Sequence, residues 1–520
     1  MSMRFPGARL RPFDAKGDFA PALPNGGHTL RQIAVRSAGI TAFSGGIRVA
    51  VQMIGTVTLA RLIAPRDYGL VTMVTTFSFL LVGCASNGLP EAVVQSRQVT
   101  RRLANNLFWI YIALGLVCSA GFAGIGPLLA KFYGEPSLVG LTAGLAFSIF
   151  FAFLPVVHFA LLQKAMMFSA TARNEIYSRA ASVLVSIALA WRGWGCWALV
   201  VGACAYPFVL MLLTWNLCRW LPGRPCRDAE TGVLLRFAVH NQGHFSLNYG
   251  TSNTDNLLIG WRLGPRILGN YKRAYDLFCL AAAQLVSSTT IVAVSALSRV
   301  REDREQYTRY LTGAIAIIAF LGMGLAGNLT LVGRDVIRLL LGPNWDQAGW
   351  IFTFFAPGIG MMLVYGTHSW IHLSIGRADR WFRWGIVEWM VTTVLFVIGV
   401  FRGPEGVAVA WGVSFWILTV PAMRYAIQPT GISLRPLVAV VGKYVLASGI
   451  ASGAGLLLQF ELHWTSRASG APEAAMRILV LSAFFTILYL SAIVLVYRSF
   501  QPLRNLMRLK RDLLSSGNEK

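Results

Sequence analysis

The sequence predicts an all-α, polytopic membrane protein with about fourteen transmembrane helices, and three observations carry this. The 520-residue chain is 55% hydrophobic and only 13% charged, whereas a soluble chain of that length would form several domains with far more charge. Apolar runs of about 20 residues, enough to cross a bilayer as a helix that satisfies its own backbone, recur along the whole length. A polar stripe of Thr41, Ser44, Arg48, Gln52 and Gly55 is echoed 200 positions later by Asn241, His244, Asn248, Ser252 and Asp255. Each stripe follows i, i+3, i+7, i+11, i+14 spacing and so marks one face of a helix. Just beyond each comes a shared Pro-Arg-x-x-Gly: Pro65, Arg66 and Gly69, then Pro265, Arg266 and Gly269. A duplicated membrane unit with matching polar faces predicts two similar halves around a polar space, an arrangement suited to transport.

The predicted spans run, in order, roughly 38–63, 68–95, 104–129, 137–162, 176–193, 196–218, 233–260, 267–297, 310–332, 348–374, 382–401, 405–426, 437–460 and 474–497. The first and seventh carry the polar stripes, and the Pro-Arg motifs stand just before the second and eighth. Trp191, Trp194 and Trp197 mark the interface between the fifth and sixth spans, and Trp381 and Trp384 mark the start of the eleventh. The repeat divides the chain into a basic tail at 1–36, expected to be disordered, an N-terminal six-helix lobe at 37–230 and its repeat at 231–430. Two additional transmembrane helices follow at 431–497, with a second basic tail at 498–520. No apolar core precedes the first span, so no cleaved signal is expected.

A net charge of +24, from 46 Lys and Arg against 22 Asp and Glu, would fit nucleic acid if it were gathered on one face. It is instead spread over the tails and the even-to-odd loops, the bias that places both termini in the cytoplasm. The cluster Arg504–Arg511 suits anionic lipid, and its few aromatics offer no platform for bases, so no nucleic-acid partner is expected.

Arg48 is the costly residue of the first span, by about 2.5–3.5 kcal/mol at a helix centre. Ser44 and Gln52 continue its face, so these three residues are candidates to line the substrate cavity. Asn241, His244 and Asn248 of the seventh span are unsuited to lipid and join them; the bland alternative for such residues is interhelical hydrogen bonding. Lys272 and Arg273 open the eighth span on the side expected to be poor in cations. Either Lys272 pairs with Asp276 at i, i+4 or both cations present charge to a phosphate. Of the carboxylates in or near spans, Glu91, Asp255, Asp276 and Glu388, the candidates for coupling to H⁺ or Na⁺ are Asp255 and Glu388. His368 and His372 share a helical face but lack the further ligands zinc needs, so no metal site is expected. There is no GxSxG, HExxH or P-loop, which argues against an enzyme and against ATP-driven pumping.

The tract Leu59-Ala60-Arg61-Leu62-Ile63-Ala64-Pro65-Arg66-Asp67-Tyr68-Gly69-Leu70 resembles the opening signature of the Wzx-type bacterial oligosaccharide flippases, members of the multidrug/oligosaccharidyl-lipid/polysaccharide exporter superfamily. Gly88–Gln95, Leu268–Tyr275 and Leu341–Trp345 resemble three later segments of that family, in the same order. The resemblance spans roughly residues 35–430. It implies a V-shaped bundle of two six-helix lobes plus two C-terminal helices. It also implies movement of undecaprenyl-diphosphate-linked oligosaccharide from the cytoplasmic to the periplasmic leaflet of the inner membrane, for lipopolysaccharide or exopolysaccharide synthesis. The family's cationic cavities match Arg48, Lys272 and Arg273 by position. Beyond the lipid-linked substrate and the membrane lipids, a polysaccharide polymerase and chain-length proteins are candidate partners. The competing readings are a cation-coupled drug or metabolite antiporter, whose site should be acidic or aromatic, and a membrane polymerase or ligase, which should carry a large outer loop.

Overall fold

A computed structural model describes residues 10–19, 30–86, 90, 93–94, 96, 99–226, 231–232, 242, 245–246, 249–250, 252–464 and 470–498. The described chain is almost wholly helical: α1 Leu30–Leu62, α2 Pro65–Ser86, α3 Arg101–Gly124, α4 Gly126–Tyr133, α5 Leu138–Phe153, α6 Val156–Lys164, α7 Phe168–Trp191, α8 Cys196–Leu217 and α9 Thr254–Leu263. There follow α10 Pro265–Arg299, α11 Arg304–Leu341, α12 Asp346–Gly366, α13 His368–Ser374, α14 Ala378–Val400, α15 Gly403–Ile427, α16 Arg435–Glu461 and α17 Ala471–Tyr497. Among the described residues nine helical segments are both long and apolar enough to cross a membrane. α1, α2, α7 and α10 are also long enough by residue number. α1 has 33 residues, about 50 Å at 1.5 Å per residue, and so is longer than a bilayer core of about 30 Å. It starts eight residues ahead of the expected span, which puts Arg48 near its middle.

The chain forms two compact units, residues 1–269 and 270–520. This division lies beyond the repeat boundary at 230/231, because α9 packs with α2 and α4 of the first unit.

In the first unit, serine hydroxyls donate to carbonyls of neighbouring helices: Ser119 of α3 to Ala146 of α5 (2.6 Å), Ser148 of α5 to Ala203 of α8 (3.0 Å) and Ser182 of α7 to Gly202 of α8 (2.6 Å). Small residues let these backbones approach, and short hydroxyls bridge them. Helices α1 and α7 run parallel, as three successive contacts show: Arg48 meets Glu175, Gln52 meets Arg179, and Gly55 lies under Val183. Pro65 and Pro265 both begin helices, a place where proline's missing N–H costs nothing. The two Pro-Arg-x-x-Gly copies meet there: Gly69 lies against the Pro265 carbonyl and Gly269 against the Pro65 carbonyl.

Residues 10–19, within the tail expected to be disordered, are docked on this unit. Leu10 pairs with the chain after α8, its N–H donating to the Leu217 carbonyl (2.8 Å) while its own carbonyl accepts from Arg219 (2.9 Å). The Asp14 carboxylate accepts from the N–H groups of Lys16 and Asp18 (both 2.9 Å), folding the turn that brings the Gly17 carbonyl to the Arg101 N–H (2.7 Å). Phe13 packs edge-on against Phe19 and Trp220. Two aromatic anchors and an Asp-centred turn thus order a stretch whose proline, glycine and charge read as disorder.

In the second unit α11 is central. α12 crosses it where Gly322 meets Gly360, and α17 lays Tyr489 and Phe485 over Gly324 and Gly327. Tyr489 donates to the Phe320 carbonyl (2.8 Å), and Ser448 and Gln459 of α16 donate to the carbonyls of Met323 (2.7 Å) and Leu331 (2.8 Å). The two C-terminal helices are therefore fixed to α11 by hydrogen bonds as well as packing. Arg477, buried on α17, pairs with Glu473 and donates to the Trp464 carbonyl (3.1 Å).

Candidate functional site: a charge ladder between α1 and α7

The described part of the first polar stripe faces α7. Ser44 is buried on α1. One turn on, the Arg48 guanidinium donates to the Glu175 carboxylate. One turn further, Arg179 donates to the Gln52 carbonyl oxygen (3.2 Å) and lies 4.6 Å over the ring of Tyr206 on α8. The order of charge along the ladder is Arg48 plus, Glu175 minus, Arg179 plus. It leaves one cation in excess, met by an amide and an aromatic face. The Arg48 and Glu175 side chains keep 36% and 21% of their exposure, so the pair is reached from outside the helix contact. Asn241, His244 and Asn248 lie outside the described residues.

Lys272 and Arg273 belong to the second unit. Lys272 takes Asp276 as its i, i+4 partner (2.9 Å) and stands 5.0 Å over the Tyr275 ring, while Arg273 reaches the other Asp276 oxygen at 3.7 Å. The local ion pair is thus formed, with both cations on the one carboxylate. Tyr271 and Tyr275 brace this turn against Phe355 of α12.

Asp255 is buried in the first turn of α9, where the Asn256 N–H donates to its carboxylate (2.8 Å). A helix N-terminus favours a carboxylate there. Glu388 on α14 hydrogen-bonds the Tyr365 hydroxyl, which also accepts from the Trp384 indole (2.9 Å). His368 bonds the Tyr365 carbonyl through Nδ1 (2.6 Å), and the His372 ring stands 5.9 Å away. Glu388 therefore sits in a polar knot of α12, α13 and α14.

Sequence reasoning missed Glu175, Arg179 and Tyr206. Glu175 and Arg179 are i, i+4 neighbours at the start of the fifth span and read as a pair within one helix. The structure assigns each to a different residue of α1 instead. The signal that could have found them is their 127-residue offset from Arg48 and Gln52, the same for both pairs.

Residues 58–349, more than half of the chain, match a family described as polysaccharide biosynthesis protein. The succinoglycan biosynthesis transport protein ExoT of Rhizobium meliloti (strain 1021) is 21% identical over 465 residues, which cover 87% of this chain and 90% of that protein. The lipopolysaccharide biosynthesis protein WzxC of Escherichia coli (strain K12) is 21% identical over 75% of this chain and 79% of that protein. Among solved structures, the lipid II flippase MurJ in an inward closed conformation aligns with a TM-score of 0.69 at 14% identity, covering 89% of this chain and 99% of that chain. That likeness gives the fold, a polytopic bundle of helices. With the family match extending over more than half of its length, the chain belongs to the polysaccharide biosynthesis protein family.

Proposed function

We propose that this multi-pass membrane protein is a flippase that carries undecaprenyl-diphosphate-linked oligosaccharide from the cytoplasmic to the periplasmic leaflet for exopolysaccharide or lipopolysaccharide synthesis. The observation that carries the reading is a cation-rich ladder inside a chain of the polysaccharide biosynthesis family. A diphosphate leaving water needs charge-assisted donors, and guanidinium groups supply them in a planar fork. A carrier for cationic drugs needs the opposite sign. A lipid-linked glycan suits alternating access, in which the substrate is held while one side closes and the other opens. In this reading the protein lies in the inner membrane with both termini cytoplasmic. It hands its product to a polymerase and chain-length proteins, and H⁺ or Na⁺ drives the cycle through Asp255 or Glu388.

The test is reconstitution in liposomes with undecaprenyl-diphosphate-linked oligosaccharide in one leaflet. Appearance of the glycan in the other leaflet, read by an added lectin, supports the reading. Protein-independent crossing, or export of cationic dyes with no glycan movement, overturns it.

A further inference from the structure

Arg48, the cation that best suits a diphosphate, is already engaged by Glu175. We propose that this is an exchangeable ion pair: in the empty protein Glu175 occupies on Arg48 the place that the diphosphate oxygens take, and Arg179 supplies the second cationic contact. The inference rests on the flippase reading and assigns its anion-binding residues.

Three features carry it. First, the pair is not the tight glycine contact between the two helices. A close approach of α1 and α7 is made two rungs further along, where Gly55 receives Val183. An ion pair buried for stability alone is generally no better than apolar side chains of the same volume. Second, the pair is partly exposed, so an anion can reach the guanidinium without parting the helices. Third, the neighbouring cation is held by weaker partners. Arg179 is placed by the Gln52 amide and the Tyr206 ring, one helical turn from the pair. A diphosphate arriving at this face meets a guanidinium beside it and a second one that leaves its carboxylate for stronger acceptors. A carboxylate offers two oxygens to the fork; a diphosphate offers more oxygens and more charge. The groups around Glu175 are Arg48 of α1, Arg179 of its own helix and Tyr206 of α8.

Such a pair has a use in a carrier. Glu175 competes for Arg48, so the anion is held more loosely than two free guanidinium groups would hold it. It also supplies the partner that re-forms on Arg48 when the anion leaves. Loss of the Glu175 charge should therefore tighten binding and slow release.

The full-length protein in nanodiscs is titrated with undecaprenyl diphosphate, and flipping of the glycan-bearing lipid is measured in parallel. Glu175→Gln, which keeps shape and removes charge, should bind undecaprenyl diphosphate roughly five- to tenfold tighter and flip more slowly. Adding Arg48→Ala to that variant should erase the gain, and Arg179→Ala should weaken binding in either background. Glu175→Asp, which withdraws the charge by one methylene, should give a smaller gain and stands in if the Gln variant does not insert. Unchanged or weaker binding in both Glu175 variants, with wild-type protein still binding the probe, overturns the exchange and leaves the flippase reading intact. Failure of the wild-type protein to bind the probe overturns both.

Discussion

Gly69 sits so close to Pro265 that a β-carbon on it would lie 1.7 Å from the Pro265 carbonyl oxygen; Gly269 stands to Pro65 in the same way, at 1.9 Å. No side-chain movement relieves a clash with backbone, so Gly69→Ala must part the starts of α2 and α10. Ordinary overpacking costs about 1–3 kcal/mol, and this joint should reach or exceed the upper end. Thermal unfolding in detergent checks the single variants. The double variant should lose less than the sum, because parting the helices once relieves both contacts. Fully additive losses would refute a shared joint.

Arg48→Ala should abolish glycan flipping while the protein still inserts, and Arg48→Lys should restore only part of it, because a point charge replaces a planar fork. Removing Arg48 alone leaves Glu175 without its partner. Arg48→Ala should therefore unfold at lower temperature than Arg48→Ala/Glu175→Ala, in which the lone carboxylate is gone. Equal melting temperatures for the two would show that Glu175 gains nothing from Arg48.

Asp255→Asn should bind substrate and stall the cycle if that carboxylate carries the coupling ion. Normal flipping with native dependence on the gradient would remove Asp255 from consideration. Glu388→Gln is then the decisive variant, together with Tyr365→Phe, which deletes the hydroxyl Glu388 bonds. A coupling role predicts that both change the ion dependence of transport as well as its rate.

Phe13→Ala should release the docked N-terminal segment. Two edge-on aromatic pairs are lost, worth about 0.5–1.5 kcal/mol each beyond area burial. Protease cleavage between residues 10 and 19 should become faster, with the rest of the chain resistant. An unchanged cleavage rate would mean that the segment is open already.

Reporter fusions at Gly134 and Gly403 should report the periplasm, and those at Arg102, Arg224 and Arg301 the cytoplasm. A consistent inversion would reverse the orientation drawn from the Lys and Arg bias.

The helical tracts were legible because a bilayer forces each span to declare itself as an apolar run. The start of α1 was not, since Arg31, Gln32 and Arg36 mask a helix that extends beyond the apolar stretch. The Lys272–Asp276 contact could be read from spacing, being local. Arg48 could be found as an expense, but its partner could not. Glu175 has a plausible neighbour four residues away in Arg179, and only packing shows that both turn to α1. The docking of residues 10–19 was hidden for a similar reason, as its anchors lie on Trp220 and Arg101, far away in sequence.

The Gly69–Pro265 and Gly269–Pro65 contacts have a consequence for how such a chain can vary. Each copy of the motif is lock and key at once, giving a carbonyl to the other copy and receiving one at its glycine. A surface that complements itself is what joins identical subunits about a twofold axis. Here both copies are written into one polypeptide, where they can mutate separately yet must still fit. Of the four residues, the two glycines should be the last to diverge.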